Sequence, residues 1–128
     1  MPLTVLIVDD EPLAREGLRA LVSRDPEVGT IREAMDGRGA VAAIRECNPD
    51  IVFLDVQMPE MDGLEASRQI TSRWDAGQRP RIVAMTANAM QGDREMCIEA
   101  GMDDYITKPI RVEALVEALN NVNARKGQ

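Results

Sequence analysis

Five polar residues in this sequence stand where strand-like runs end, and their types suit transfer of a phosphoryl group to a carboxylate. Asp55 follows Ile51-Val52-Phe53-Leu54, a β-branched and aromatic run that reads as a buried strand, and it opens a loop punctuated by Pro59. Asp9 and Asp10 close the apolar run 4–8, Thr86 follows the run 81–85, and Lys108 lies just past 104–107. In open α/β sheets the carboxyl ends of the strands border the crevice where ligands bind. Three carboxylates gathered there repel one another, by roughly 4 kcal/mol for one pair about 4 Å apart at an effective dielectric near 20. A cation must offset this. The sequence has no histidine, and hard oxygen donors without imidazole or thiolate favour Mg²⁺ or Mn²⁺. Lys108 adds a second positive charge, suited to hold a carboxylate or phosphate as a point charge. Asp55 can then act as the nucleophile toward phosphorus, since acyl phosphate formation is mostly positioning and charge neutralisation. A chain without histidine cannot carry a phosphohistidine, so the donor is a histidine on a partner or a small acyl phosphate. Modification adds about −1.5 to −2 charges, toward which Thr86 could turn its hydroxyl.

The elements that must position these residues alternate. The apolar run 4–8 reads as a strand buried on both faces. Pro12 suits the first turn of a helix, in which Ala14, Gly17, Leu18, Leu21 and Val22 recur with helical spacing until Arg24-Asp25-Pro26. A weaker strand over 30–34 leads to the Asp36-Gly37 turn signal and a helix with Ala40, Val41, Ile44 and Cys47 on one face, stopped by Asn48-Pro49-Asp50. The spacing predicts a third helix over 63–73 with Gly63, Ala66, Ser67 and Ile70 inward, broken at Asp75-Ala76-Gly77, and a fourth strand over 81–85. A helix over 89–100 ends at Gly101 as a left-handed stop, a brief strand covers 104–107, and a last helix carries Val112, Leu115, Val116, Leu119 and Val122. Five β-α units imply a parallel sheet with helices on both faces, because each parallel pair needs a crossover. All five polar groups then share one edge of that sheet, whereas random placement would put some at the amino ends of strands. The last residues, 124–128, read as a frayed end.

Length and composition set outer bounds. At 128 residues the chain is one domain by the size prior, burying about two-thirds of its unfolded surface. A net charge of −7 and a pI near 4.6 argue against direct nucleic-acid binding, which needs clustered Lys and Arg. Apolar runs are of strand length and no leader pattern is read, so the expectation is no membrane span and a cytoplasmic protein. Cys47 and Cys97 sit in helical patterns, as reduced thiols would.

Four motifs now carry a resemblance. Asp9-Asp10-Glu11, then Leu54-Asp55-Val56-Gln57-Met58-Pro59-Glu60-Met61-Asp62-Gly63, then Met85-Thr86-Ala87, and Tyr105-Ile106-Thr107-Lys108-Pro109 resemble, in order and spacing, the receiver domain of two-component response regulators. The resemblance covers nearly the whole chain. It implies a single receiver domain over 1–128 with a flavodoxin-like (βα)5 three-layer sandwich and strand order 2-1-3-4-5, as in chemotaxis-regulator-like proteins. It implies that Asp55 is the phosphoacceptor, that Asp10 and Asp55 ligate the metal with the backbone carbonyl of Gln57, and that Asp9 acts through water. Thr86 and Tyr105 would form a switch pair and Lys108 would contact the phosphoryl group. Arg94, Ile98, Tyr105 and Thr107 would share a partner face made by the helix over 89–100, the fifth strand and the last helix.

The implied function is a phosphorylation-dependent signalling switch, not an enzyme, assisting only its own phosphoryl transfer and autodephosphorylation. It would take its phosphoryl group from a histidine kinase or histidine phosphotransfer protein and alter its affinity for a downstream effector, as a monomer or a phosphorylation-linked dimer. Gln57 and Asn88, two places after Asp55 and Thr86, would tune phosphoryl lifetime by governing water access. The first half is closer to receivers fused to DNA-binding regulators, and 84–110 to those of hybrid sensor kinases. A haloacid-dehalogenase-type phosphatase also uses a strand-end aspartate, but it wants a second Asp where Gln57 stands. A flavin or dinucleotide carrier needs a Gly- or hydroxyl-rich phosphate loop after the first strand, where Asp9 and Asp10 would repel the phosphate. An adaptor of the same fold that is never phosphorylated is the remaining alternative.

Overall fold

Strands whose side chains are apolar on both faces must lie between two layers, and three runs in this chain meet that condition. The computed structural model describes residues 3–56, 63–73, 80–86, 95–96, 98–108 and 110–126. In it β1 (Leu3–Val8), β3 (Ile51–Asp55) and β4 (Arg81–Thr86) are the buried centre of the sheet, with β2 (Val28–Ala34) and β5 (Asp104–Thr107) at its edges. All pairs are parallel and the order is β2-β1-β3-β4-β5. This is the flavodoxin-like arrangement expected from the sequence.

Helices that cover the sheet among the described residues are α1 (Pro12–Val22), α2 (Gly37–Cys47), α3 (Gly63–Arg73) and α4 (Val112–Lys126). Between β4 and β5 the described residues Glu95, Met96, Ile98 and Glu99 are helical, where the sequence predicts a helix over 89–100. Period-two alternation along the strands divides the core. Leu3, Val5 and Ile7 of β1 pack with Phe53, Met85 and Ile106 against Leu18 and Val22 of α1 and Leu115, Ala118 and Leu119 of α4. Leu6 and Val8 pack with Val52, Leu54, Ile82 and Ala84 against Ala40, Val41 and Ile44 of α2 and Ile70 of α3. On α4, Leu115 and Leu119 are buried as expected, but Val112 and Val116 are 44% and 38% exposed. Ala118 takes the inward place instead.

Local chemistry sets the element ends. Pro12 stands in the first turn of α1. Asp36 caps α2, its carboxylate accepting from the Gly39 amide at 2.7 Å, and Asn48 ends that helix in the left-handed conformation. β2 begins two residues earlier than the apolar pattern indicates. Its side chains are half-buried or exposed because it is an edge strand, so hydrophobicity marks only part of it.

Carboxylates are not confined to the carboxyl edge. Asp50 accepts from the Thr4 amide and Asp103 from the Ile82 amide, each at 2.8 Å, at the amino ends of β1 and β4. The expectation that polar groups gather at one edge is therefore too simple. The amino-edge acids are engaged with backbone donors of incoming strands, whereas those at the carboxyl edge face one another.

Candidate functional site at the carboxyl edge of the sheet

Asp9 directly continues β1 and Asp55 is the last residue of β3; because these strands are neighbours, the two acids emerge side by side. By strand parity Asp9 follows Val5 and Ile7, and Asp55 follows Ile51 and Phe53. Both therefore belong to the face covered by α1 and α4. Asp10 lies next to them, half-buried. Each of the three carboxylates offers an oxygen within 4.8 Å of the others. Asp9 and Asp55 are 2% and 4% exposed, so their mutual repulsion is little relieved by solvent.

Lys108 reaches this group from the turn after β5. Its amide donates to the Thr86 carbonyl at 2.7 Å, and its Nζ lies 3.2 Å from Asp9 Oδ2 and 3.6 Å from Asp55 Oδ1. Burial acts to lower the ammonium's pKa. The charge of Asp55, the hydrogen bond and charge of Asp9, and Glu11 outweigh it and hold the pKa above its ordinary 10.5. Lys108 is thus a fixed cation. One ammonium against three carboxylates still leaves an excess of negative charge.

Every polar atom of Asp9 is engaged. Its amide donates to the Ala34 carbonyl at 3.1 Å, Oδ1 accepts from the Glu11 amide at 3.0 Å, and Oδ2 accepts from Lys108. Its carbonyl accepts from Arg15 Nη1 at 2.7 Å, and the same guanidinium bonds Glu33 on β2 at 3.2 Å. Among the described residues no ion pair or side-chain hydrogen bond uses the Asp10 carboxylate. The sequence reading missed Arg15 and Glu33. The available signal was Arg15 itself: a cation in the fourth position of a helix opposes the macrodipole and calls for a partner.

Thr86 ends β4 and is 3% exposed. It continues the alternation of Ile82 and Ala84, and Tyr105, opposite Ala84 on β5, packs against the same cluster. Of the expected partner face, Ile98 is 58% exposed and Thr107 is exposed. Arg94, Gln57, Asn88 and Cys97 lie outside the described residues. Cys47 is a free thiol, with burial raising its pKa against the opposing charge of Arg32.

A doubly wound parallel sheet with an acidic crevice and a lysine at its carboxyl edge defines the class. The chain belongs to the response regulator receiver domain family, which matches residues 5–120. It is 40% identical over 116 residues to the response regulator MprA of Mycolicibacterium vanbaalenii, covering 91% of this chain and 48% of that one. The receiver domain of the sensor histidine kinase PA1611 from Pseudomonas aeruginosa PAO1, with magnesium coordinated in its active-site cleft, superposes with a TM-score of 0.81. The two are 34% identical, over 94% of this chain and 97% of that one. A chain of the co-crystal of the Saccharomyces cerevisiae phosphotransfer protein Ypd1 with the Ssk1 receiver domain gives a TM-score of 0.86 at 26% identity, over 99% of this chain and 92% of that one. This chain spans 27% to 56% of the length of the curated relatives it matches. No helix among the described residues is long and apolar enough to cross a membrane.

Proposed function

We propose that this chain is a phosphorylation-dependent signalling switch in which Asp55 accepts the phosphoryl group. The observation that carries this reading is the Lys108 ammonium set between Asp9 and Asp55, with the Asp10 carboxylate beside them. An Asp55 oxygen forms the new bond to phosphorus, and the bond to the donor breaks with its electron pair staying on the donor. The donor is a phosphohistidine on a histidine kinase or phosphotransfer protein, in keeping with the Ypd1 complex of a structural neighbour.

The three carboxylates fit a hard divalent cation. Asp10 and Asp55 would ligate Mg²⁺ or Mn²⁺ with the Gln57 carbonyl, and Asp9, already bound by Glu11 and Lys108, would act through water. The bound cation would neutralise the oxygens of the group in transfer. Lys108 holds the opposite side of the charge and stays protonated throughout. Once Asp55 is modified, Thr86 bonds a phosphoryl oxygen and Tyr105 turns inward, favouring one of two pre-existing arrangements. The surface carrying Arg94, Ile98 and Thr107 then changes its affinity for an effector, with or without dimer formation. Gln57 and Asn88 set the lifetime by controlling water. The protein acts in the cytoplasm. Some relatives are protein-glutamate methylesterases, but the alignment covers only 29% of one of them. The chain itself is read as a signalling domain without turnover of an external substrate.

The test is incubation with Mg²⁺ and acetyl phosphate or phosphoramidate followed by intact mass. A gain of one PO₃ unit is expected in the wild type and none in Asp55→Asn. A folded wild type that gains nothing would instead support the phosphorylation-independent adaptor.

A further inference from the structure

The residues assigned to the site place its carboxylates but leave open what sets the direction of the peptide between Asp9 and Asp10. Asp9 lies beyond the last residue of β1, and Pro12 already begins α1. The intervening residues turn through a tight corner in which a small rotation would swing the Asp10 carboxylate away from Asp55. Arg15 is placed to prevent this. Its Nη1 donates to the Asp9 carbonyl at 2.7 Å, while its Nε bonds Glu33 Oε1 at 3.2 Å. The Arg15 side chain is only 18% exposed. Glu33 is anchored by strand pairing, opposite Ile7 on β1; its second oxygen also meets Arg19 at 2.7 Å, but that side chain is 48% exposed and such a surface pair adds little to the anchoring. The guanidinium fork thus ties the corner to the edge strand rather than to its own helix alone. A planar fork of fixed geometry does this where a lysine could not.

We propose that Arg15, braced by Glu33, is a positioning residue for the divalent cation. It fixes the Asp9–Asp10 peptide so that the three carboxylates converge before the metal arrives. This rests on the reading of Asp10 and Asp55 as metal ligands. Among the described residues Arg15 makes no hydrogen bond or ion pair with the carboxylate of Asp9 or Asp10; it acts through the Asp9 carbonyl, as outer partners of metal ligands do. Such partners typically influence affinity by about 10–100-fold. Arg19 is the internal comparison, because it pairs with the other oxygen of the same Glu33 carboxylate but is not bonded to Asp9.

The experiment compares wild type, Arg15→Ala, Arg15→Lys, Glu33→Gln and Arg19→Ala, using Mg²⁺ alone in calorimetry and then phosphoramidate labelling across a Mg²⁺ series. In Arg15→Ala the Mg²⁺ dissociation constant and the half-saturating Mg²⁺ for labelling should both rise about tenfold or more. The labelling rate at saturating Mg²⁺ should stay near that of wild type, because Asp55 and Lys108 are untouched. Arg15→Lys should recover only part of the affinity and Glu33→Gln should lose part of it. Arg19→Ala should bind Mg²⁺ as wild type does, even where its melting temperature falls as far as that of Arg15→Ala. Wild-type affinity in Arg15→Ala, or equal weakening in Arg19→Ala, would overturn the proposal. A wild type that binds no Mg²⁺ would overturn the functional reading itself, and is seen before any variant is made.

Discussion

Lys108 joins residues 99 positions apart in the sequence, and its removal should expose how much charge this edge of the sheet holds. Lys108→Met leaves Asp9 and Asp55 buried against each other without their cation. Breaking a buried pair from one side costs about 3–5 kcal/mol, and since the Lys108 side chain is 29% exposed the lower end, or less, is expected. Thermal melts in chelator should show the loss, and Mg²⁺ should restore more stability to the variant than to wild type. The pH dependence has a definite sign. A folded-state pKa raised above 10.5 means that the stabilisation by Lys108 is fully present below the unfolded value and disappears only as pH rises through the higher folded value. Denaturant midpoints in chelator should therefore show no loss traceable to Lys108 on going from neutral pH toward 10.5, and a decline above it that Lys108→Met lacks.

Which site residues could be read beforehand follows from where they stand. Asp9, Asp10, Asp55, Thr86 and Lys108 each stand at the end of a strand legible in the sequence, so sequence order alone brings them to the sheet edge. Arg15 and Glu33 meet through the register that sets Glu33 opposite Ile7, and pairing register leaves no mark in one chain's order of residues. Asp50 and Asp103 were invisible for the same reason. Their backbone partners, Thr4 and Ile82, belong to strands distant in sequence.

At the scale of elements, hydrophobicity located the buried strands β1, β3 and β4 because both faces of each must be apolar. It shortened β2, whose Gly29, Thr30, Arg32 and Glu33 are exposed at the edge. Turn chemistry was legible where a side chain does the work: Asp36→Ala should cost about 1 kcal/mol through loss of the α2 cap, measurable by urea denaturation. Gly101 shows a second, steric constraint. Its φ of +92° suits glycine, and a Cβ there would collide with Thr71 Cγ2 of α3. Next to it the Ser67 hydroxyl donates to the Ala100 carbonyl at 2.7 Å. Gly101→Ala should therefore destabilise by more than about 1 kcal/mol, and Thr71→Ala in the same chain should return the steric part and leave the backbone part.

For the whole molecule, the site and its proposed readout meet at Thr86, at the carboxyl end of β4. By strand parity Asp9 and Asp55 continue the face under α1 and α4, while Thr86 continues the face under α2 and α3, against whose cluster Tyr105 packs. The proposed switch must carry a change at the carboxyl edge across β4 to the outer edge strand β5, where Thr107 is exposed. Phosphorylation should thus alter amide hydrogen exchange in 98–108 more than in 28–34. Tyr105→Ala should take up phosphate at the wild-type rate but show a smaller exchange change there. Bound Mg²⁺ should stabilise the entire fold by mass action, raising the melting temperature with metal concentration, and Asp55→Asn should flatten that dependence.

The central claim is that one carboxylate forms a reversible acyl phosphate, and borohydride tests it directly because it reduces an acyl phosphate on aspartate to homoserine. After incubation with phosphoramidate and Mg²⁺, peptide sequencing by mass should find homoserine at position 55, and none when the metal is chelated. Homoserine at Asp9 or Asp10 instead, or an unreduced Asp55 in protein shown to be folded, would contradict the account.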